Sequence, residues 1–165
     1  MFPKLFAFCC YILFFHASAW AYFPDTEESF YRHDIDALRS QNVIKGYADG
    51  IFLPKQTVNR AEMLKMILYA RDGHVPNIDE SCFQDVNKGQ WYTPYVCQGK
   101  KEGVVEGYEN GYFLPEKAVN WAEALKMIFT SFHVNVPDEQ VWYEGYVQYA
   151  HKNNILSFFS YLPDQ

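Results

Sequence analysis

Asn42-Val-Ile-Lys-Gly-Tyr-Ala-Asp-Gly-Ile-Phe-Leu-Pro54 returns 61 positions later as Gly103-Val-Val-Glu-Gly-Tyr-Glu-Asn-Gly-Tyr-Phe-Leu-Pro115. The register holds downstream, where Val58-Asn-Arg-Ala-Glu-Met-Leu-Lys-Met-Ile67 is matched by Val119-Asn-Trp-Ala-Glu-Ala-Leu-Lys-Met-Ile128. It also holds upstream: Phe30-Tyr31 corresponds to Trp91-Tyr92, and Phe23-Pro-Asp25 to Phe83-Gln-Asp85 with a one-residue shift. A third copy opens at Trp142-Tyr143 and continues through Val147, Ala150, Ile155 and Leu156. It lacks the Gly-Tyr-x-Asp-Gly loop, and the last residues include Leu162-Pro163. Self-similarity at such a period marks a repeat array, in which units bury their apolar faces against one another.

Local physics specifies each unit. Tyr31, Ile35 and Leu38 stand at i, i+4 and i+7, one face of a helix; Tyr92, Val96 and Gly99, then Tyr143, Val147 and Ala150, are the matching faces. Gly46 and Gly107 stop or redirect the chain, because glycine reaches positive φ without steric cost. Asp49-Gly50 and Asn110-Gly111 are turn formers. Asn59 with Glu62, and Asn120 with Glu123, have the spacing of a capping box at the start of a second helix. Ala61, Leu64, Ile67 and Leu68 form its apolar stripe, copied as Ala122, Leu125, Ile128 and Phe129. The expected fold is therefore all-α: tandem helix–loop–helix repeats over 22–72 and 82–133, with a partial third over 138–165. Linkers are expected at Asp72–Ser81 and Val134–Asp138.

The chain has 20 acidic and 14 basic side chains, a net charge of −6, with 49% apolar and 19% aromatic residues. That apolar mass excludes a disordered tail, and the acidic balance argues against nucleic acid as a partner. Lys4 is the only charged residue before Asp25; Leu5–Phe15 is continuously apolar, and Ala17-Ser-Ala-Trp-Ala21 supplies small residues. This predicts a secretory signal peptide over 1–21, cleaved after Ala21 or Ala19. Eleven residues span about 16 Å against a bilayer core of about 30 Å, which disfavours the alternative of a retained anchor. Cys9 and Cys10 lie within the apolar run without the small preceding residue that lipidation requires. Export leaves Cys82 and Cys97 in an oxidising compartment, where a disulfide is the expected state. Zinc would need further soft ligands at suitable spacing.

The opening Phe-x-Asp, the aromatic helix start, the Gly-Tyr-x-Asp-Gly-x-Phe-x-Pro loop and the Asn-Arg-Ala-Glu element together resemble the S-layer homology (SLH) domain, over about residues 23–165. That resemblance implies a pseudo-threefold, three-pronged helical unit. It also implies non-covalent binding of cell-wall-linked polysaccharide, often pyruvylated, by an exported protein of the bacterial envelope. In the family the element commonly reads Thr-Arg-Ala-Glu, and its Arg lines grooves between prongs and meets the anionic glycan. Arg60 holds that position here, expected at the solvent-facing start of a helix, and a guanidinium there suits a carboxylate. Trp121 replaces Arg in the second copy, either to stack on a sugar ring or to pack.

Lys65 and Lys126 are candidate groove cations or parts of a solvated helix face. Tyr47 and Tyr108 are candidate sugar platforms or loop pins. Glu62, Glu123, Asn59 and Asn120 are caps first. Asp49 and Asn110 offer too few oxygen ligands for calcium, so no metal and no cofactor is expected. His16, His33, His74, His133 and His151 have no metal-binding spacing, and no nucleophile elbow or phosphate loop stands out; catalysis is not expected. The competing function is a protein-interaction module, self-associating or packing on a partner through the incomplete third copy.

Overall fold

The computed structural model describes residues 22–155, and the predicted leader (1–21) and the final stretch with Leu156 and Leu162-Pro163 lie outside them. The described residues form five α-helices: α1 (Arg32–Ser40), α2 (Arg60–Asp72), α3 (Thr93–Lys101), α4 (Trp121–Ser131) and α5 (Glu144–Lys152). A short 3-10 turn, Pro24–Thr26, precedes them. Among the described residues there is no strand beyond two isolated bridges, one pairing Asn59 with Ala118 across the repeats. The fold is all-α, in tandem helix–loop–helix units.

The second helices begin at complete capping boxes. Asn59 accepts from Glu62 N at 2.8 Å while Glu62 accepts from Asn59 N at 3.0 Å. Asn120 and Glu123 repeat the pair at 2.9 and 3.1 Å. Two orphan amides per helix are thereby satisfied. The first helices have no side-chain N-cap. Their starts carry an edge-on aromatic pair instead: Phe30–Tyr31, Trp91–Tyr92 and Trp142–Tyr143, with interplanar angles of 90°, 80° and 88°.

Between the helices, the opening Phe-x-Asp locks the loop. The Asp25 carboxylate accepts from Phe52 N and Leu53 N, the latter at 2.7 Å; Asp85 does the same for Phe113 N and Leu114 N at 2.8 and 2.7 Å. Leu53 and Leu114 both stand at φ 59°, a left-handed conformation costly for a residue with a Cβ, and the carboxylates hold them there. Below the loop, the Phe23 and Phe83 rings lie so close to Gly46 and Gly107 that any Cβ would fall 2.3 and 2.5 Å from a ring carbon. Arg39 and Lys100 cover the same rings from 3.9 and 4.1 Å.

Packing follows the apolar stripes. Helix α2 lies against α3 and α4, and α4 against α5. The main cluster joins Ala61, Leu64, Ile67 and Leu68 of α2 to Val86, Val96, Val104 and Phe113 of repeat two. A smaller one joins Leu125 and Phe129 to Ala150. Helix α3 meets α2 closely because position 99 is glycine: a Cβ there would lie 2.9 Å from Leu64 Cδ2. Three members of the predicted helix-one faces depart from the pattern: Leu38 is 38%, Tyr143 43% and Val147 37% exposed. Val96 lies in the cluster that α2 and its own loop build; on α1, Met66 of α2 reaches the cluster around Ile35 but Leu38 stays uncovered, and the sequence of repeat three has no matching loop motif.

Arg71 ties three helices together at the far end, 2.6 Å from Glu102 past α3 and 3.2 Å from Ser131 Oγ on α4. The disulfide Cys82–Cys97 is present, with Cα atoms 5.5 Å apart, and fastens the start of repeat two to the middle of α3. Closing a loop of this size is worth about 3 kcal/mol in the chain-entropy model. Denaturant titration of the Cys82→Ser/Cys97→Ser variant should show that loss, with an unchanged helical spectrum before the transition.

Candidate functional site: two inter-repeat grooves and a buried arginine

The loop and second helix of each complete repeat form a groove with the aromatic start of the next repeat. The groove after repeat two, of about 150 Å³, is lined by Tyr108, Glu123, Lys126 and Trp142, with Arg60 entering from repeat one. The groove after repeat one, of about 460 Å³, is lined by the corresponding Tyr47, Glu62, Lys65 and Trp91, with Ile35 and Phe52. In both, the lysine faces the exposed indole: Lys65 Nζ is 5.6 Å from the Trp91 ring and Lys126 Nζ 5.9 Å from that of Trp142.

Arg60 is not at a solvent-facing helix start. It is 6% exposed, because α2 drives its N-terminus under the loop of repeat two. Its Nε donates to Phe113 O at 2.9 Å, and Nη1 is 3.4 Å from Glu123 Oε1. The rings of Tyr108 and Phe113 lie 5.0 and 4.8 Å from the guanidinium carbon. A buried charge survives only when paired and hydrogen-bonded, and this one is both. Arg60 is a strut of the fold that also lines the second groove.

The remaining sequence candidates divide by environment. Trp121, the counterpart of Arg60, is 61% exposed. Tyr108 donates to Glu123 at 2.9 Å and accepts from Lys117 at 2.8 Å, which fixes its ring against the loop. Tyr47 makes the looser version, donating to Glu62 at 3.3 Å and accepting from Gln56. Burial, then the Glu62 carboxylate, raise the Tyr47 hydroxyl above its ordinary pKa. Asp49 and Asn110 accept from Ile51 N and Tyr112 N within the turns, and Gly50 and Gly111 take φ of 81° and 80°. No group of three potential metal-ligating side chains occurs among the described residues.

Residue-type reasoning assigned no role to Asp25, Asp85, Lys45 or Lys117. The first two are the loop locks; their spacing from the loop, the same in both copies, was the available signal. Lys45 stands in the first groove where the second has Glu106.

Glu123 is the most heavily engaged carboxylate. Desolvation raises its pKa, but the Asn120 amide, Lys117, Tyr108 and Arg60 together hold it below its ordinary 4.5. A depressed carboxylate contributes stability above its unfolded pKa and loses it as pH falls through the folded one. The thermal unfolding midpoint should therefore fall below about pH 4. Glu123→Gln, which can still cap, should have a flatter acid limb than the parent.

The architecture defines a class: a tandem helical repeat protein with ligand-sized clefts between units. Comparison with known sequences places it more closely. The profile of the S-layer homology domain matches residues 22–64 and 83–125. The chain belongs to that family, and it is an exported protein of the cell surface. It is 35% identical over 89 residues to endo-1,4-beta-xylanase A of Thermoanaerobacterium saccharolyticum, covering 52% of this chain and 7% of that enzyme. It is 32% identical over 97 residues to the S-layer protein sap of Bacillus anthracis, covering 58% and 12%. To the middle cell wall protein of Brevibacillus brevis it is 25% identical over 124 residues, covering 73% and 12%. The chain thus spans about a tenth of the length of these relatives. Its family is that of a cell-wall anchoring module.

Proposed function

We propose that this chain attaches non-covalently to an anionic cell-wall polysaccharide, pyruvylated polymers included, through its inter-repeat grooves, and that it is itself non-catalytic. The observation that carries this reading is the twice-built pair of an exposed indole and a lysine across each groove. An aromatic face suits the apolar side of a sugar ring, and an ammonium beside it suits a carboxylate. The groove carboxylates Glu62 and Glu123 are occupied as caps, which leaves them no acid–base role.

The two grooves differ in charge. Lys126 is 3.4 Å from Glu106, whereas the first groove carries Lys45 at that place beside Lys65. Since the chain as a whole is acidic, anion binding must be local, and the first groove holds the less balanced positive charge. A pull-down with purified sacculi, before and after stripping of the attached polymer, tests the reading. Binding should vanish on stripping. Lys65→Ala should lower affinity about tenfold, the scale of one charge-assisted hydrogen bond, and Lys126→Ala less. Retention after stripping, or indifference to Lys65→Ala and Trp91→Ala together, would reject it.

Self-association through repeat three is the second reading, favoured by the exposure of Trp142, Val147 and Ile155. It requires an oligomer by light scattering without glycan; a monomer across the working concentration range rejects it.

A further inference from the structure

The aromatic surface of the first groove continues past its lining. Trp91, at the head of α3, has its ring 6.4 Å from that of Tyr95, and Tyr95 lies 5.9 Å from Tyr69 of α2, with successive tilts of 53° and 45°. Both tyrosines stand outside the groove, half-buried along the seam where α2 and α3 pack. The two groove lysines turn towards them. Lys65 Nζ is 5.6 Å from the Trp91 ring and 5.7 Å from that of Tyr95, and Lys45 Nζ is 5.8 Å from the Tyr69 ring. Three rings thus form a row with an ammonium towards either end. Neither lysine is in an ion pair among the described residues. A ring attracts a cation without neutralising it, so both charges stay available to an anion.

Repeat two has the spacing but not the row. Trp142 and Tyr146 keep the four-residue interval of Trp91 and Tyr95, yet Thr130 stands where repeat one has Tyr69, and Glu106 where it has Lys45. The Tyr146 ring stacks on Phe129 of the core at 6.5 Å, and Lys126 is paired with Glu106. The row therefore belongs to the first groove alone, and the packing of one repeat on the next does not impose it.

We propose that Trp91, Tyr95 and Tyr69 form a second sugar subsite, which binds units of an anionic polysaccharide beyond the one held in the first groove. This rests on the glycan reading above and extends it from a single unit to a stretch of chain. Neighbouring units lie along the row, with Lys65 and Lys45 facing acidic groups on different units. The apolar side of each sugar ring stacks on an aromatic face, and the tilt from ring to ring follows a chain whose units turn against one another. Burial, then a hydrogen bond with the Tyr69 hydroxyl, push the Tyr95 hydroxyl up to about 12, so Tyr95 adds no negative charge at neutral pH. An acidic polypeptide would satisfy the two ammonium groups but would leave the three ring faces unused.

Polymer stripped from purified sacculi and fractionated by size, from single repeating units to long chains, is titrated against the full chain by calorimetry, with concentration counted in repeating units. Long chains should bind about tenfold more tightly than single units, the scale of one further charge-assisted hydrogen bond. Tyr69→Thr, which places there the residue that repeat two carries, should abolish this ratio and leave single-unit affinity unchanged. Lys45→Glu, an exchange of the same kind at an exposed position, should shrink the ratio as well, whereas Tyr69→Phe, which keeps the ring, should retain most of it. A ratio near one in the parent, or one that survives both Tyr69→Thr and Lys45→Glu, overturns the subsite and leaves the groove reading standing. Absence of binding by every fraction rejects the groove reading and the subsite with it. Equal competition by poly-L-glutamate at matched charge would mean that charge alone is read, which also overturns the subsite.

Discussion

A buried guanidinium joins the two complete repeats, and most of the architecture follows from what it needs. Desolvating Arg60 is affordable only because the repeat-two loop delivers a carbonyl, a carboxylate and two aromatic faces to it. That loop can do so only because Asp85 pins its amides and Phe83 lies under Gly107. The capping box sets the direction in which α2 leaves the junction, so that Leu64 meets Gly99 one turn later. Cap, loop and helix contact are consecutive consequences of one buried charge.

Much of this is legible in the sequence because it is local. Asn59 and Glu62 sit three residues apart, and a capping box requires no more than that spacing. The stripe from Ala61 to Leu68 depends only on helical period. The disulfide follows from two cysteines in an exported chain. Arg60 was misread because its exposure is tertiary. The first position of an isolated helix faces solvent, and only the docking of α2 under the next repeat turns it inward. Leu38 and Val147 fail for the same kind of reason. Periodicity names a face, but cannot say whether a neighbouring element arrives to cover it. Asp25 and Asp85 were visible as part of a motif, yet their work spans about 28 residues of chain to amides that carry no side-chain signature.

The two grooves show how a duplicated unit acquires different chemistry. Their walls share tyrosine, glutamate, lysine and tryptophan at matching positions. What separates them is the exchange of Lys45 for Glu106 and of Gln56 for Lys117, and the presence of Arg60 in one only. A repeat's binding character thus belongs partly to its neighbour.

The Cys82–Cys97 bond has a mechanical meaning as well as a thermodynamic one. It lies where the linker from α2 enters repeat two, and it grips α3. A cell-surface chain held at one site and dragged at another carries tension along its backbone. Tension arriving through residues 73–81 would otherwise peel Phe83 and Asp85 from the loop they lock. The covalent bond diverts that load into α3, which packs against α2 through Gly99 and Leu64. The lock that Phe83 and Asp85 place on the repeat-two loop is therefore shielded from tension entering along the linker.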